Sequence, residues 1–464
     1  MPDSGPQRSP FKLKHRKTTL IHYGRWLPSS SAAYDSFFSQ LTSHVSNRRS
    51  RASTHTPAVA AFARAINDPS DPEPKMIDLF NQIFLQAASP NNTVITDFES
   101  LLHHLDIIVV QPPGFIVPMD TEGNPIGQPV GVPIYIIFDL LSNTAAAYDL
   151  FRRPAFNITM KDLLNSWAAY LRTPDSSKTL TDSAGGWFSE MGLAALEDDD
   201  RGKFNSTYVC PNPQQTNRGY ASWDEFFTRE ILADARPMVS SDGPAIDASI
   251  VVSACESTVF GIQRDVQLHD QFWLKGQKYS LYDMLDRDTF GGSLAKDFIG
   301  GTAYQAFLSP ADYHRWRSPV AGKIVKAVVV PGTYYAVLPD AGAEEDDPDL
   351  EPGSPYGAII RSQLWLTQAA TRALIYIDNP KVGLVCFIGV GMVEVSTCAL
   401  AVRTGQQVNR VDELGMFHFG GSSHLLLFGP QAKLTFCDDI VDPNTGEVKV
   451  NTHIKVLSLL AQAS

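Results

Sequence analysis

The sequence predicts an α+β protein: a helical N-terminal region followed by a strand-rich catalytic domain. Three observations carry that reading. Apolar residues recur at helical spacing through the first half, and short β-branched runs broken by Pro and Gly fill the second. Near the C-terminus stands the run Phe419-Gly420-Gly421-Ser422-Ser423, which sets a hydroxyl beside a flexible backbone carbonyl. A chain of 464 residues has room for about two or three domains. Its hydrophobic content of 44% is normal for a protein that buries a large core.

The elements follow in chain order. Residues 1–30 carry Arg8, Lys12, Lys14, Arg16 and Lys17 among Pro2, Pro6 and Pro10, without an apolar stretch. They read as a disordered basic tail rather than a signal peptide. A helical domain is expected over 31–215. Met76, Ile77, Phe80, Ile83 and Phe84 fall at helical spacing, as do Leu163, Leu164, Trp167 and Leu171. A strand-rich domain is expected over 216–464. It opens on a capping box, Ser222-Trp223-Asp224-Glu225, before Phe226, Phe227 and Ile231. Strands are predicted at Ile250–Val252, Ile324–Val330, Ala373–Ile377 and Leu384–Ile388, with Pro331-Gly332 turning between two of them. The apolar run Val382 to Val393 is shorter than the ~20 residues of a membrane helix. Its Gly389 and Gly391 point to a buried strand pair. The polar stretch Arg172 to Gly186 reads as a loop. The acidic stretch Asp340 to Gly357 reads as a solvated insertion, since it lacks the spacing of a calcium loop.

Composition narrows the function. A net charge of -12 argues against nucleic acid as a partner and against simple docking on anionic lipid. Cys210, Cys255, Cys386, Cys398 and Cys437 are odd in number and widely spaced, without a Cys-x-x-Cys pair. No zinc motif or disulfide framework is expected from them. The chain reads as soluble, cytoplasmic and free of integral membrane segments, with no metal.

The Gly-Gly-Ser-Ser run places a hydroxyl beside a flexible carbonyl. If Ser422 Oγ attacks the carbonyl of Gly421, the peptide bond becomes an ester. β-Elimination then cuts the chain, and the new N-terminal residue loses ammonia to become a pyruvoyl ketone. Glycine at 421 tolerates the strained backbone this attack requires. Most Gly-Gly-Ser-Ser runs are plain turns, so the neighbouring motifs decide. Three stand out: Val252-Ser253-Ala254-Cys255-Glu256-Ser257, then Ser309-Pro310-Ala311-Asp312-Tyr313-His314-Arg315-Trp316-Arg317, and Val411-Asp412-Glu413-Leu414-Gly415-Met416-Phe417-His418-Phe419.

Together with the Gly-Gly-Ser-Ser run these motifs resemble the phosphatidylserine decarboxylase family. The likeness is greatest to its soluble fungal branch, which includes the tryptophan decarboxylase of psilocybin biosynthesis. The resemblance implies that Gly421 and Ser422 are the cleaved pair and that Ser422 becomes the pyruvoyl group. It sets Glu256 where the family carries the aspartate of an Asp-His-Ser triad, and His314 at the first histidine of a His-x-x-His pair associated with decarboxylation. The second histidine is replaced by Arg317, which stays protonated and cannot take the Ser422 proton. His314, His418 and His424 then stand as alternatives for that step. His418 reads equally as a satisfied strand histidine, and His424 as a solvent-facing one. Arg317 could instead pair with Glu256.

The implied enzyme is a pyruvoyl-dependent carboxy-lyase acting on a small amino acid, tryptophan-like as first guess, in fungal secondary metabolism. Substrate amine and ketone would form a Schiff base whose carbonyl withdraws electrons as CO₂ leaves, and His314 would protonate Cα. No pyridoxal phosphate is required, and the two self-cleavage fragments stay associated. Two alternatives remain: a phosphatidylserine decarboxylase of phospholipid synthesis, and a non-catalytic relative in which Arg317 has ended self-processing.

Overall fold

The structure is a computed structural model. It describes residues 37–39, 41–42, 54–88, 94–115, 132–198, 200–236, 247–269, 280–285, 294–345, 347, 350, 352–394, 397–420 and 422–464. The expected tail at 1–30 and Gly421 lie outside the described residues. The N-terminal part is helical. Met76–Gln86 buries Met76, Leu79, Phe80, Ile83 and Phe84 along one face, as its spacing predicts. Pro133–Ser142 and Pro154–Leu171 both start on a proline, which sets φ at the first helical position. The long Pro154–Leu171 helix turns Phe156, Met160, Leu163, Leu164, Trp167 and Leu171 inward. The helix Trp223–Phe227 is capped by Ser222 Oγ, which accepts from the Glu225 N–H at 3.1 Å.

The second part is antiparallel sheet. Its strands are β1 (Ile250–Val252), β2 (Ser257–Arg264), β3 (Thr302–Leu308), β4 (Arg315–Arg317), β5 (Gly322–Val330), β6 (Arg372–Asn379) and β7 (Gly383–Gly391). They continue as β8 (Cys398–Leu400), β9 (Gln407–Val408), β10 (Glu413–Phe417), β11 (Ser422–Phe428), β12 (Leu434–Phe436), β13 (His453–Ile454) and β14 (Leu459–Ala463). Eight of them form the main sheet in the order β13-β2-β3-β11-β7-β6-β5-β9. Two three-stranded sheets, β1-β14-β12 and β4-β10-β8, complete the set.

β11 lies at the centre of the main sheet, between β3 and β7, and every one of its residues is buried. Side chains alternate across a strand. Leu425 and Leu427 join the cluster that holds the helices, whereas Leu426 and Phe428 join the cluster beneath the small sheets. The main sheet is therefore the middle layer, with helices on one face and the small sheets on the other.

Two expectations give way. Val382 to Val393 holds one strand, β7, rather than a strand pair. Its glycine at 389 serves packing: a Cβ there would meet the Trp316 ring at 3.1 Å and the Phe417 ring at 3.2 Å. Pro331-Gly332 does not close a hairpin. The chain leaves β5 there, forms the helices Ala358–Arg361 and Gln363–Ala369, and returns to β6. The excursion closes on itself where the Gly332 N–H donates to Thr371 Oγ1 at 3.0 Å. Part of the acidic stretch folds inward with it: Ala343, Leu350 and Tyr356 are buried, and Asp340 accepts from Arg361 Nε at 2.6 Å.

Three arginines from the segment before β1 stake the loops that surround the site, two of them the loop between β3 and β4 and the third the loop between β1 and β2. Arg201 Nε donates to Asp312 Oδ1 at 2.7 Å, Arg229 Nη2 to the Ala311 carbonyl at 2.7 Å, and Arg236 Nε to Glu256 Oε2 at 2.6 Å. Asp312 also accepts from the Ser309 N–H at 2.7 Å. Burial pushes its carboxyl up, but Arg201 and His453 more than offset this and hold it well below the ordinary carboxylate value. Asp312→Ala should cost about 3–5 kcal/mol by depriving the buried Arg201 charge of its carboxylate, read as a lower thermal midpoint. The folded pKa lies below the unfolded one of 3.8. The stabilisation is thus complete above that value and lost as pH falls through the acid range. An alanine variant should show a correspondingly flatter acid limb.

Candidate active site

Ser422 begins β11, opposite Leu308 of β3 and Gly391 of β7. It is fully buried, and its Oγ has no hydrogen-bond partner among the described residues. His424 follows on the same face of the strand, about 7 Å along it. Its ring lies between Tyr304 and Phe387, both ring nitrogens lack a partner among the described residues, and burial lowers its pKa to about 3. The expectation that His424 could simply face solvent is corrected. It sits in an apolar layer as a neutral imidazole.

His314 closes the β3–β4 loop at the same edge of the main sheet. Its carbonyl accepts from the Phe417 N–H at 2.9 Å, which ties it to the strand entering the Gly-Gly-Ser-Ser run. The ring stacks on Phe227 at 3.9 Å, and neither nitrogen has a partner among the described residues. Burial, then the nearby Arg229 charge, lowers its pKa to about 3. In the uncut chain His314 is a neutral imidazole and a weak base.

His418 is placed differently. Its Nδ1 lies 2.8 Å from Asp224 Oδ1, and its backbone N–H donates to the Thr397 carbonyl at 3.1 Å. Asp224 belongs to the capping box, and its sequence signature is that of a helix start alone. Between them, Phe419 sits edge-on to Trp167 at 5.0 Å, Trp223 at 4.4 Å and Phe227 at 5.4 Å. The capping box with its two aromatic residues is the available signal, but its histidine partner lies 194 residues away.

Glu256 is fully buried and grips Arg236 through both oxygens, at 2.6 and 2.5 Å. It therefore does not pair with Arg317. The Arg317 guanidinium instead donates to Tyr313 Oη at 2.5 Å. A bidentate arginine satisfies a carboxylate more fully than an imidazole does. Among His314, His418 and His424, the one with a carboxylate at hydrogen-bond distance is His418, and that carboxylate is Asp224. Glu256, Asp312 and His453 also lie within 4.8 Å of one another. Arg201 and Arg236 already neutralise those acids, which makes the cluster an ion-pair network rather than a cation site.

A fully buried serine at the start of a central strand, behind a glycine pair and among neutral histidines, defines the class. The chain belongs to the phosphatidylserine decarboxylase family and is a carboxy-lyase. The phosphatidylserine decarboxylase family model matches residues 223–455, and a second model of that description matches 56–196. The chain is similar to Decarboxylase iboD of Amanita muscaria, with 56% identity over 77% of this chain and 99% of the relative. It is 32% identical to the L-tryptophan decarboxylase of Psilocybe cubensis, over 93% of this chain and 94% of that one. Phosphatidylserine decarboxylase proenzyme 3 of Schizosaccharomyces pombe is 31% identical over 53% of this chain and 22% of its own. Among the described residues no helix is long and apolar enough to cross a membrane.

Asp224→Asn keeps the shape beside His418 and removes the charge. If the pair takes part in maturation, self-cleavage should slow by at least about a hundredfold, the low end of general-base effects of about 10²–10⁴, with an unchanged thermal midpoint. A parental time course by denaturing gel would make the pair structural.

Proposed function

We propose that this chain is a pyruvoyl-dependent amino-acid decarboxylase that makes its own cofactor by cutting between Gly421 and Ser422. The observation that carries the reading is Ser422 itself: a buried hydroxyl without a partner among the described residues, at the first position of the central strand. A buried hydroxyl left unbonded is costly, and a nucleophile awaiting its carbonyl accounts for that cost better than a turn serine does. The substrate is an amino acid with an aromatic, tryptophan-like side chain. Support comes from the relatives that match across most of this chain and are named L-tryptophan decarboxylase.

In this reading Ser422 Oγ attacks Gly421, and a neutral histidine takes its proton. His424 shares its strand face, His314 its sheet edge, and His418 carries the Asp224 carboxylate. The resulting pyruvoyl group would serve as electron sink when bound to the substrate amine. The cut leaves β11 paired on both sides by β3 and β7, so the two fragments stay associated through the main sheet. The division of the chain near residue 215 into helical and decarboxylase domains belongs to the same proposal.

Ser422→Ala should give a single uncut chain without decarboxylase activity, seen by intact mass. The parent should give two fragments, the second beginning with a blocked residue 422. Phenylhydrazine should abolish parental activity, whereas removal of pyridoxal phosphate should not. A cleaved alanine variant would refute the site.

Arg317→His should leave the cleavage rate within about twofold of the parent. Glu256 is already held by Arg236, which leaves a histidine at 317 without its carboxylate. Much faster cutting in that variant would restore the reading in which Arg317 replaces a lost base.

A further inference from the structure

The edge of the main sheet that carries Ser422 also carries a carboxyl group that the maturation chemistry does not use. β7 ends at Gly391, opposite Ser422, and a few residues later the Thr397 carbonyl accepts from the His418 N–H. The loop between Gly391 and Thr397 is thus anchored at both ends on the segment that holds the cleavage site. Glu394 lies within it.

Glu394 is 6% exposed. One oxygen, Oε1, accepts from the Tyr135 N–H at 2.8 Å, at the start of the helix Pro133–Ser142. The other, Oε2, is buried with no hydrogen-bond partner among the described residues. Capping that helix requires only one acceptor, which Asn, Ser or Asp supplies more readily. A carboxyl with a second, unspent oxygen in the interior costs stability unless something supplies a donor. Val393, just before it, holds φ at 51°, an unfavourable backbone for a β-branched residue. Strain of that kind concentrates at binding sites.

A second unsatisfied group stands nearby. Tyr335 follows β5 at the same sheet edge, where Val330 pairs with Arg372 and Arg372 with Val390. Its hydroxyl is buried and without a partner among the described residues. Burial and the Glu394 charge push that hydroxyl well above its ordinary pKa. Burial likewise pushes the Glu394 carboxyl up to about 7. The described residues supply a partner to neither Glu394 Oε2 nor the Tyr335 hydroxyl.

We propose that Glu394 is a specificity-determining residue whose Oε2 accepts a hydrogen bond from an N–H or O–H donor on the side chain of the amino-acid substrate. The inference rests on the amino-acid decarboxylase reading above. Cleavage makes residue 422 a chain end at the sheet edge where β7 ends and the chain runs on to Glu394. An indole N–H is a donor of the required kind. A site built around such a bond rejects an isostere that lacks it, because the carboxyl is then left unpaired.

The test begins with the processed wild-type protein, screened for CO₂ release from the coded amino acids. The best substrate should carry a side-chain N–H or O–H. If it is tryptophan, it is compared with 3-benzothienyl-L-alanine, which keeps the ring shape and replaces N–H by sulfur. The expected preference for the donor is on the order of 10⁴-fold in kcat/KM, a comparison that needs no variant. Glu394→Gln follows. The Tyr135 N–H fixes the amide so that its oxygen caps the helix and its NH₂ occupies the Oε2 position, opposing a substrate donor. The variant should self-cleave like the parent by intact mass, with KM for the donor substrate raised at least tenfold and the preference abolished. A cleaved Glu394→Gln that keeps the parental preference overturns the proposal. So does a best wild-type substrate without a side-chain donor, or equal turnover of both isosteres. An uncut wild-type chain, or one that decarboxylates no amino acid, instead overturns the function on which the proposal stands, and the proposal with it.

Discussion

The rest of the site depends on how Phe419 is held. Its ring meets Trp167, Trp223 and Phe227 edge-on, and contacts of this geometry contribute roughly 0.5–1.5 kcal/mol each beyond burial. Trp167 comes from the long helix Pro154–Leu171, while Trp223 and Phe227 come from the short capped helix. Phe227 also stacks on His314. One aromatic cluster thus fixes the segment before Ser422, the neighbouring histidine and the helical layer together. The two glycines after Phe419 lie between this anchor and β11, and Gly420 has φ at 130°, a conformation glycine adopts freely.

Charge is distributed with the same logic. Arg201, Arg229 and Arg236 bind Asp312, the carbonyl of Ala311 and Glu256 in a buried network on one side of the 309–314 loop. On the other side, His314 sits against Phe227 with no anion at hydrogen-bond distance among the described residues. Ion pairs inside a protein cost desolvation and are retained when they fix geometry. Here they fix the loop that carries the histidine. The loop residues that bind charge are Ser309, Ala311 and Asp312, and the residue left neutral is His314.

Much of the architecture is legible in the sequence because it is local. Helical spacing locates Met76–Gln86, and β-branched runs locate β1, β5, β6 and β7 to within a few residues. Ser222 capping Glu225 is readable from four consecutive letters. The illegible part is long-range. Nothing near Asp224 announces His418, and nothing near Glu256 announces Arg236 rather than a histidine. Pro331-Gly332 carries a correct turn signal, but a turn signal says nothing of the two helices that separate it from β6. Glu394 is silent in the sequence because a single acid in an apolar run has no pattern. Its significance lies in a buried oxygen without a partner among the described residues, which only the folded chain exposes.

Arg317 acquires a different meaning once its neighbours are seen. An arginine at a position expected to hold a base suggests loss of function only if the rest of the base's environment is intact. Here it is not: Glu256 is committed to Arg236, and Arg317 turns to the Tyr313 hydroxyl. In the proposed maturation this arrangement leaves position 317 out of the proton transfer, so the Ser422 proton would pass to a histidine. Burial keeps His314 and His424 neutral but also weakens them as bases. His418 instead has a carboxylate at hydrogen-bond distance, which would stabilise the imidazolium as it forms. Desolvation weakens a histidine as a base and a carboxylate partner strengthens it, and this site sets the two environments around the two ends of one Gly-Gly-Ser-Ser run.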